Sequence, residues 1–313
     1  MSRIHEALKK AEQERGGAAP VETPAAPSRP RANMPTLPDD GKSAVAVGTL
    51  TDTRTMPSVQ RDGVLEWNEI AERCAHPGWD LDPQHSVFLD PALTADGAEQ
   101  FRTLRSRLYQ IRNDRPLQTL LITSALPGEG KTFVTSNLGQ AIVRQNERRA
   151  LMIDADLRRS NLHTGLRAPS SPGLSDYLRG DADVLSVMQQ GLRGNLCFIP
   201  GGSEAANPTE LLANGRLKIL LESVAGAFDW ILIDAPPCLP VADASILAGL
   251  CDGVLLVVKA RSTPVRVVEK ASKEFRGRKL VGVVMNAVEK CAHGYPSYYG
   301  SPYYRRDHPG SSE

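Results

Sequence analysis

LQTLLITSALPGEGKT, residues 117–132, decides the fold. Its first half is a short apolar run of Leu, Ile and Thr, the pattern of a strand buried on both faces. ALPGEGKT, residues 125–132, follows directly and leads into a helical segment, and strand, Gly-rich loop and helix together are the context that a phosphate-binding loop requires. Backbone amides of such a loop and of the helix N-terminus point at phosphate oxygens. Pro127, Gly128, Glu129, Gly130, Lys131, Thr132 and Phe133 are therefore expected to cradle a nucleotide. Lys131 would reach the β and γ phosphates, and the Thr132 hydroxyl would ligate Mg²⁺. Ala125 stands where the common pattern has its first Gly, a mild departure.

Outward from this loop, ALMID, LCFIP, DWILID, GVLLVV and KLVGVVMN alternate with helix-length segments. Such alternation predicts βα units in a doubly wound, mostly parallel α/β sheet of the P-loop NTPase type. Two strands end in carboxylates, Asp154 and Asp156 in LMIDAD and Asp234 in WILIDAPP. Ligands gather at the carboxyl ends of parallel strands, so these acids are expected to converge on the loop. An aspartate at a strand end also serves as a turn former or helix cap, but the trio beside GKT favours handling of Mg²⁺.

Before the sheet, AEQFRTLRSRLYQI places Phe101, Leu104, Leu108 and Ile111 on one helical stripe and leaves Glu99, Arg102 and Arg105 off it. Residues 64–94, with Trp67 and Trp79, contain enough apolar side chains to pack on the main domain but show no assignable periodicity. Residues 16–63 hold seven prolines and no aromatic side chain, and predict a disordered linker. Residues 1–15 read as a short amphipathic helix that needs a partner to dock on. The chain after residue 290 is rich in Gly, Pro, Ser and Tyr without periodicity, and predicts a mobile tail over 291–313. Five of the seven tyrosines lie there: Tyr295, Tyr298, Tyr299, Tyr303 and Tyr304. The domain that carries the chemistry is expected over 95–290.

A formal charge of +1 across 313 residues offers no bulk attraction for nucleic acid. Cys74, Cys197, Cys238, Cys251 and Cys291 have no CxxC spacing, which fits reduced thiols in a cytoplasmic protein. MSRIHEALKK is charged where a signal peptide needs an apolar run, and no run of eighteen apolar residues occurs.

The P-loop, LMIDADLRR and ILIDAPP resemble the three nucleotide motifs, Walker A, A′ and B, of the bacterial tyrosine kinases of polysaccharide export. Glu99, Arg102 and Arg105 fit that family's ExxRxxR motif; GLSDYLRG and NPTELL resemble family segments, and the tail is a tyrosine cluster. The opening MSRIHEALKKAE resembles soluble members from exopolysaccharide loci. Ser160 stands where relatives usually have proline. The resemblance covers about residues 95–304. It implies an ATP- and Mg²⁺-dependent tyrosine autokinase with catalytic Lys131, Asp154, Asp156 and Asp234, in which Asp154 or Asp156 helps deprotonate the acceptor hydroxyl. Thr132, Asp154 and Asp234 would serve Mg²⁺. The five tail tyrosines would be the acceptors, modified between subunits of a homo-oligomer, in one form a ring, whose interface uses Glu99, Arg102 and Arg105. Implied partners are a membrane chain-length-determinant protein that recruits and activates the kinase at the inner membrane, and a cognate tyrosine phosphatase.

Two other readings stay open at this point. One is an assembly ATPase like the septum-site and partition ATPases, although Leu126 and Pro127 occupy the positions of their signature Lys and Gly. The other is a nucleotide-bound scaffold with negligible turnover.

Overall fold

The computed structural model describes residues 63–288 except 90, 146, 192–193 and 276–278, and of 91–95 the backbone alone. The expected N-terminal helix, most of the linker, Cys291 and the tyrosine cluster lie outside the described residues.

A lead-in segment carries α1 (Trp67–Arg73) and a single 3₁₀ turn (Pro83–His85), and is followed by the long α2 (Pro91–Asp114). The remainder alternates as β1 (Thr119–Ser124), α3 (Lys131–Val143), β2 (Ala150–Asp154), α4 (Leu162–Leu166), α5 (Leu174–Arg179), α6 (Val184–Val187), β3 (Gln189–Gly191) and β4 (Leu196–Ile199). It ends with α7 (Pro208–Ala213), α8 (Arg216–Val224), β5 (Trp230–Asp234), α9 (Asp243–Leu250), β6 (Gly253–Lys259), α10 (Val265–Glu274) and β7 (Leu280–Asn286). The seven strands form one sheet in the order β3-β4-β2-β5-β1-β6-β7. Every pairing is parallel except that of β3 with β4. The six apolar runs read from the sequence are six of these strands. The seventh, β3, is three residues of Gln-Gln-Gly, with no apolar run to announce it.

All of β1, β2 and β5 is buried. The two-residue period of a strand divides their side chains between two cores. Leu121, Leu151, Ile153, Ile231 and Ile233 face one, and Leu120, Ile122, Met152, Trp230 and Leu232 face the other. The stripe on α2 behaves as its spacing predicts: Leu108 is buried in the second core, with Phe101, Leu104 and Ile111 packed on it. The helix itself starts at Pro91, ahead of the stripe.

The lead-in segment, unassigned from sequence, is held at two places. Ile70 is buried in the first core, Trp67 meets Phe228 edge to face at 5.7 Å, and Ala75 bridges Gln189, so the segment covers the outer edge of β3. Further on, helix α3 presents buried amides to it. Val87 N donates to Asn137 Oδ1 (2.9 Å), Asn137 Nδ2 donates to His85 O (3.0 Å), and Ser86 Oγ donates to Gln140 Oε1 (2.7 Å). The signal is short: Trp67, Ile70 and Cys74 recur at steps of three and four over barely two turns, and the remainder of the segment is held by single side chains.

Candidate active site

The loop between β1 and α3 turns through Gly128 (φ 78°) and Gly130 (φ 91°), both left-handed, which glycine adopts without steric cost. Gly130 also lacks room, since a Cβ there would lie 1.9 Å from Asn286 Nδ2. Lys131 opens α3 and its ammonium lies 2.8 Å from Asp156 Oδ2 and 3.5 Å from Asp234 Oδ2. Thr132 Oγ1 donates to Asp234 Oδ2 at 2.7 Å, and Thr135 Oγ1 to Asp234 Oδ1 at 3.3 Å. Parallel registry places Asp234 beside Ile122 on one flank and Asp154 on the other, which is why the acids and the loop meet.

Burial disfavours the charged form of Lys131, but Asp234 and Asp156 outweigh it and hold the ammonium above its ordinary value. Asp234 is raised, chiefly by burial, with Lys131 and the Thr132 hydroxyl opposing. Asp154 is pushed up to about 7, first by burial and then by the charge of Asp234.

The three aspartates do not stand alike. Asp154 has both oxygens engaged: Oδ1 accepts from Asp156 N (3.2 Å), and Oδ2 from Ser160 Oγ (2.8 Å), Asn161 N (3.0 Å) and Leu162 N (3.0 Å). It holds the 155–162 loop from beneath, and Ser160 contributes a hydroxyl to that hold. Asp156, by contrast, lines a cleft of about 740 Å³ together with Pro127, Gly128, Lys131 and Thr132. Phe133 and Gly130 line it too, whereas Glu129 does not. Glu129 is 3% exposed, and its carboxylate accepts from Leu126 N at 2.6 Å and from Thr263 Oγ1, on the far side of the loop.

Sequence reasoning missed other parts of this wall. His85 lines the cleft from the lead-in segment, its Nδ1 3.0 Å from Asp82 Oδ2. Arg158 lines it from DLRR, with Nε donating to Asp243 Oδ2 (2.7 Å) and Nη2 to Thr209 Oγ1 (2.8 Å). Thr209 Oγ1 completes the triangle on Asp243 Oδ1 at 2.6 Å, tying NPTELL to the site. Arg158 was visible as the basic residue after LMIDAD, while His85 carried no signal.

Glu99, Arg102 and Arg105 are not gathered into one cluster. Arg102 Nη1 pairs with Glu99 Oε2 at 3.0 Å on the exposed face, and Arg105 Nη1 instead donates to Ala141 O of α3 at 2.6 Å. Among the described residues no three His, Cys, Asp or Glu side chains form a metal cage. The hydroxyl and carboxylate oxygens of Thr132, Asp234 and Asp156 nevertheless fit Mg²⁺, which takes one or two protein oxygens and completes its shell with phosphates and water.

A family model described as an AAA domain matches residues 118–274. Over 206 residues the chain is 34% identical to the tyrosine-protein kinase YwqD of Bacillus subtilis (strain 168), across 65% of this chain and 86% of that protein. The chain belongs to the bacterial tyrosine-protein kinases. Tyrosine-protein kinase CpsD of Streptococcus agalactiae is 33% identical to the kinase over 203 residues, 64% of this chain and 87% of that one. Other relatives are longer: the kinase is 35% identical to tyrosine-protein kinase etk of Escherichia coli (strain K12) over 67% of its own length but 29% of that protein. It is also similar in structure to the kinase domain of Escherichia coli ETK, with a TM-score of 0.62 at 31% identity, covering 66% of this chain and 82% of that chain. Among the described residues of the kinase, no helix is long and apolar enough to cross a membrane.

Proposed function

We propose that this kinase transfers the γ-phosphoryl group of ATP to its own tyrosine cluster, Tyr295, Tyr298, Tyr299, Tyr303 and Tyr304, from one subunit to the next, and so regulates polysaccharide polymerisation or export. The observation that carries the reading is Lys131 held between Asp156 and Asp234 at the wall of the cleft. A bound polyphosphate would draw the ammonium off these carboxylates, leaving Asp156 facing the cleft and Asp234 beside the Thr132 hydroxyl.

In the transfer, the bond from the γ-phosphorus to the oxygen of the β-phosphate breaks as one to the phenolic oxygen forms, and the phenolic proton must leave. Asp156 would receive it; its position on the cleft wall, where Asp154 does not reach, supports that role. Asp154, with both oxygens taken by donors of the 156–162 segment, holds the loop that carries Asp156. Phosphoryl transfer passes through a loose transition state, so orientation and charge stabilisation count for more than a strong base. Mg²⁺, when bound, neutralises charge on the β and γ phosphates; Thr132 and Asp234 would hold it. Arg158, fixed by Asp243 and Thr209, presents a preorganised positive charge to the same space.

Partners follow from the family resemblance. They are a membrane chain-length-determinant protein that recruits the kinase from the cytoplasm and activates it, a tyrosine phosphatase that resets the tail, and further copies of the kinase itself. Each phosphotyrosine adds about −1.5 to −2 charge, so several within residues 295–304 would repel one another and loosen such an assembly. The test is mass spectrometry of the tail after incubation with Mg-ATP, beside Lys131→Met, with and without the cytoplasmic tails of candidate membrane partners. Phosphate on residues 295–304 that is lost in Lys131→Met is the expected result. ATP turnover with unmodified tyrosines under every condition would replace the autokinase with an assembly ATPase.

A further inference from the structure

Glu129 poses a physical problem: a carboxylate in the centre of a loop that must receive a polyphosphate. Its side chain answers by turning away from the cleft. Oε2 accepts from Leu126 N (2.6 Å), which closes the loop on itself, and Oε1 accepts from Thr263 Oγ1, in the connection from β6 to α10, and from Lys259 N (3.4 Å), the last residue of β6. The main chain of the same residue is held as well, because Asn286 Nδ2, at the end of β7, donates to Glu129 O at 2.9 Å. Asn286 O in turn accepts from Ala260 N at 2.9 Å. The contacts close into a ring: P-loop to β6–α10 connection, that connection to the end of β7, and β7 back to the P-loop. Gly130 sits against the Asn286 amide so closely that a Cβ would overlap it at 1.9 Å.

We propose that Glu129 is a positioning residue whose carboxylate clamps the P-loop to the β6–α10 connection, so that Thr263 and Asn286, which lie outside the P-loop, LMIDADLRR and ILIDAPP, set the affinity for Mg-ATP. The chemistry requires an acceptor at 129. A carboxylate offers only lone pairs and meets an amide N–H on one oxygen and a hydroxyl with a second N–H on the other. A glutamine would turn an NH₂ toward at least one donor and break that side of the clamp. At Thr263 the demand is for a hydroxyl rather than for shape. Valine keeps the volume and loses the bond, and serine keeps the bond. A loosened loop must be ordered anew when the phosphates arrive, and that ordering comes out of the binding free energy.

The clamp rests on the nucleotide-site reading given above, and the experiment separates the two. Mg-ATP binding to the full-length protein is measured by titration calorimetry for the wild type and for Glu129→Gln, Thr263→Val and Thr263→Ser, with nucleotide-free melting curves alongside. The expected result is an approximately tenfold weaker Kd for Glu129→Gln and for Thr263→Val, the effect of one lost charge-assisted hydrogen bond, and near wild-type affinity for Thr263→Ser. A purely structural role would lower the melting temperature of Thr263→Val while leaving its Kd, measured well below that temperature, unchanged. That outcome, or equal affinity across all four proteins, overturns the clamp alone. A wild type that does not bind Mg-ATP overturns the nucleotide site and the clamp with it.

Discussion

Gly130 carries two constraints at once, a φ of 91° and an absent Cβ against Asn286, whereas Gly128, with a φ of 78°, faces open space. The two glycines therefore separate backbone strain from contact. Gly128→Ala should cost the left-handed penalty of about 1–2 kcal/mol. Gly130→Ala should cost more, because it also displaces the Asn286 amide, and should abolish Mg-ATP binding where Gly128→Ala weakens it. Melting curves and nucleotide titration of the two variants check this; equal behaviour would mean that the Asn286 contact is unimportant. At this scale the sequence was informative wherever chemistry fixes the residue type. Lys131, Thr132 and Asp234 stand together as their motif demands. It could not separate Asp154 from Asp156, because two residues of spacing do not say which carboxylate meets backbone amides and which meets a cleft. Nor could it place Glu129, whose side-chain partners outside the loop itself lie 130 or more positions away in the chain.

Helix α3 does two jobs, opening with Lys131 and Thr132 and then anchoring the lead-in segment through Asn137 and Gln140 further along. Asn137→Ala removes the acceptor of Val87 N and the donor to His85 O, leaving two backbone groups without partners. Each such group costs about 1–3 kcal/mol when buried, so residues 82–89 should detach and become a new site of cutting in limited proteolysis, absent from the wild type, with the sheet intact. A second element-scale device closes the turn before α5. Asp176 accepts from Gly173 N (2.8 Å), Ser203 Oγ (2.7 Å) and Arg179 Nη2 (2.5 Å). Burial would raise its pKa, but the Ser203 hydroxyl, the amides and Arg179 outweigh that and hold it below the usual carboxylate value. A lowered folded-state pKa gives stability that is present above the unfolded value near 4 and lost as pH falls through the folded one. Asp176→Asn should therefore melt well below the wild type at pH 7, with the gap closing toward pH 3. A gap that does not change with pH would contradict the assignment. Elements with a hydrophobic period were legible in the sequence. β3, made of Gln and Gly, offers no apolar period to detect, and the lead-in offers only the two-turn stripe of Trp67, Ile70 and Cys74.

At the scale of the molecule, the proposed interface residues have unequal structural duties. Exposed ion pairs such as Glu99 with Arg102 contribute little to folding, about 0–1 kcal/mol. Arg105, by contrast, donates to a main-chain carbonyl near the C-terminal end of α3, a favourable place for a cation. Arg102→Ala should thus change assembly without changing the melting temperature, and Arg105→Ala should change both. Light scattering and melting curves distinguish the two, and the ring is wrong if the double variant keeps its assembly state and its tail phosphorylation. A sequence motif reports that three side chains recur at fixed steps; it does not report that one of them is already committed within its own subunit.

Among the described residues, the sheet is covered at one end and open at the other. Ala75 and the chain after α1 cover β3, whereas among the described residues no strand pairs with the outer side of β7, where Val283 and Met285 are 47% and 63% exposed. A body with a single open edge has a sticking valence of one. Two copies joined edge to edge would use up both free strands and stop, so strand addition between folded subunits ends at pairs and does not grow into fibres.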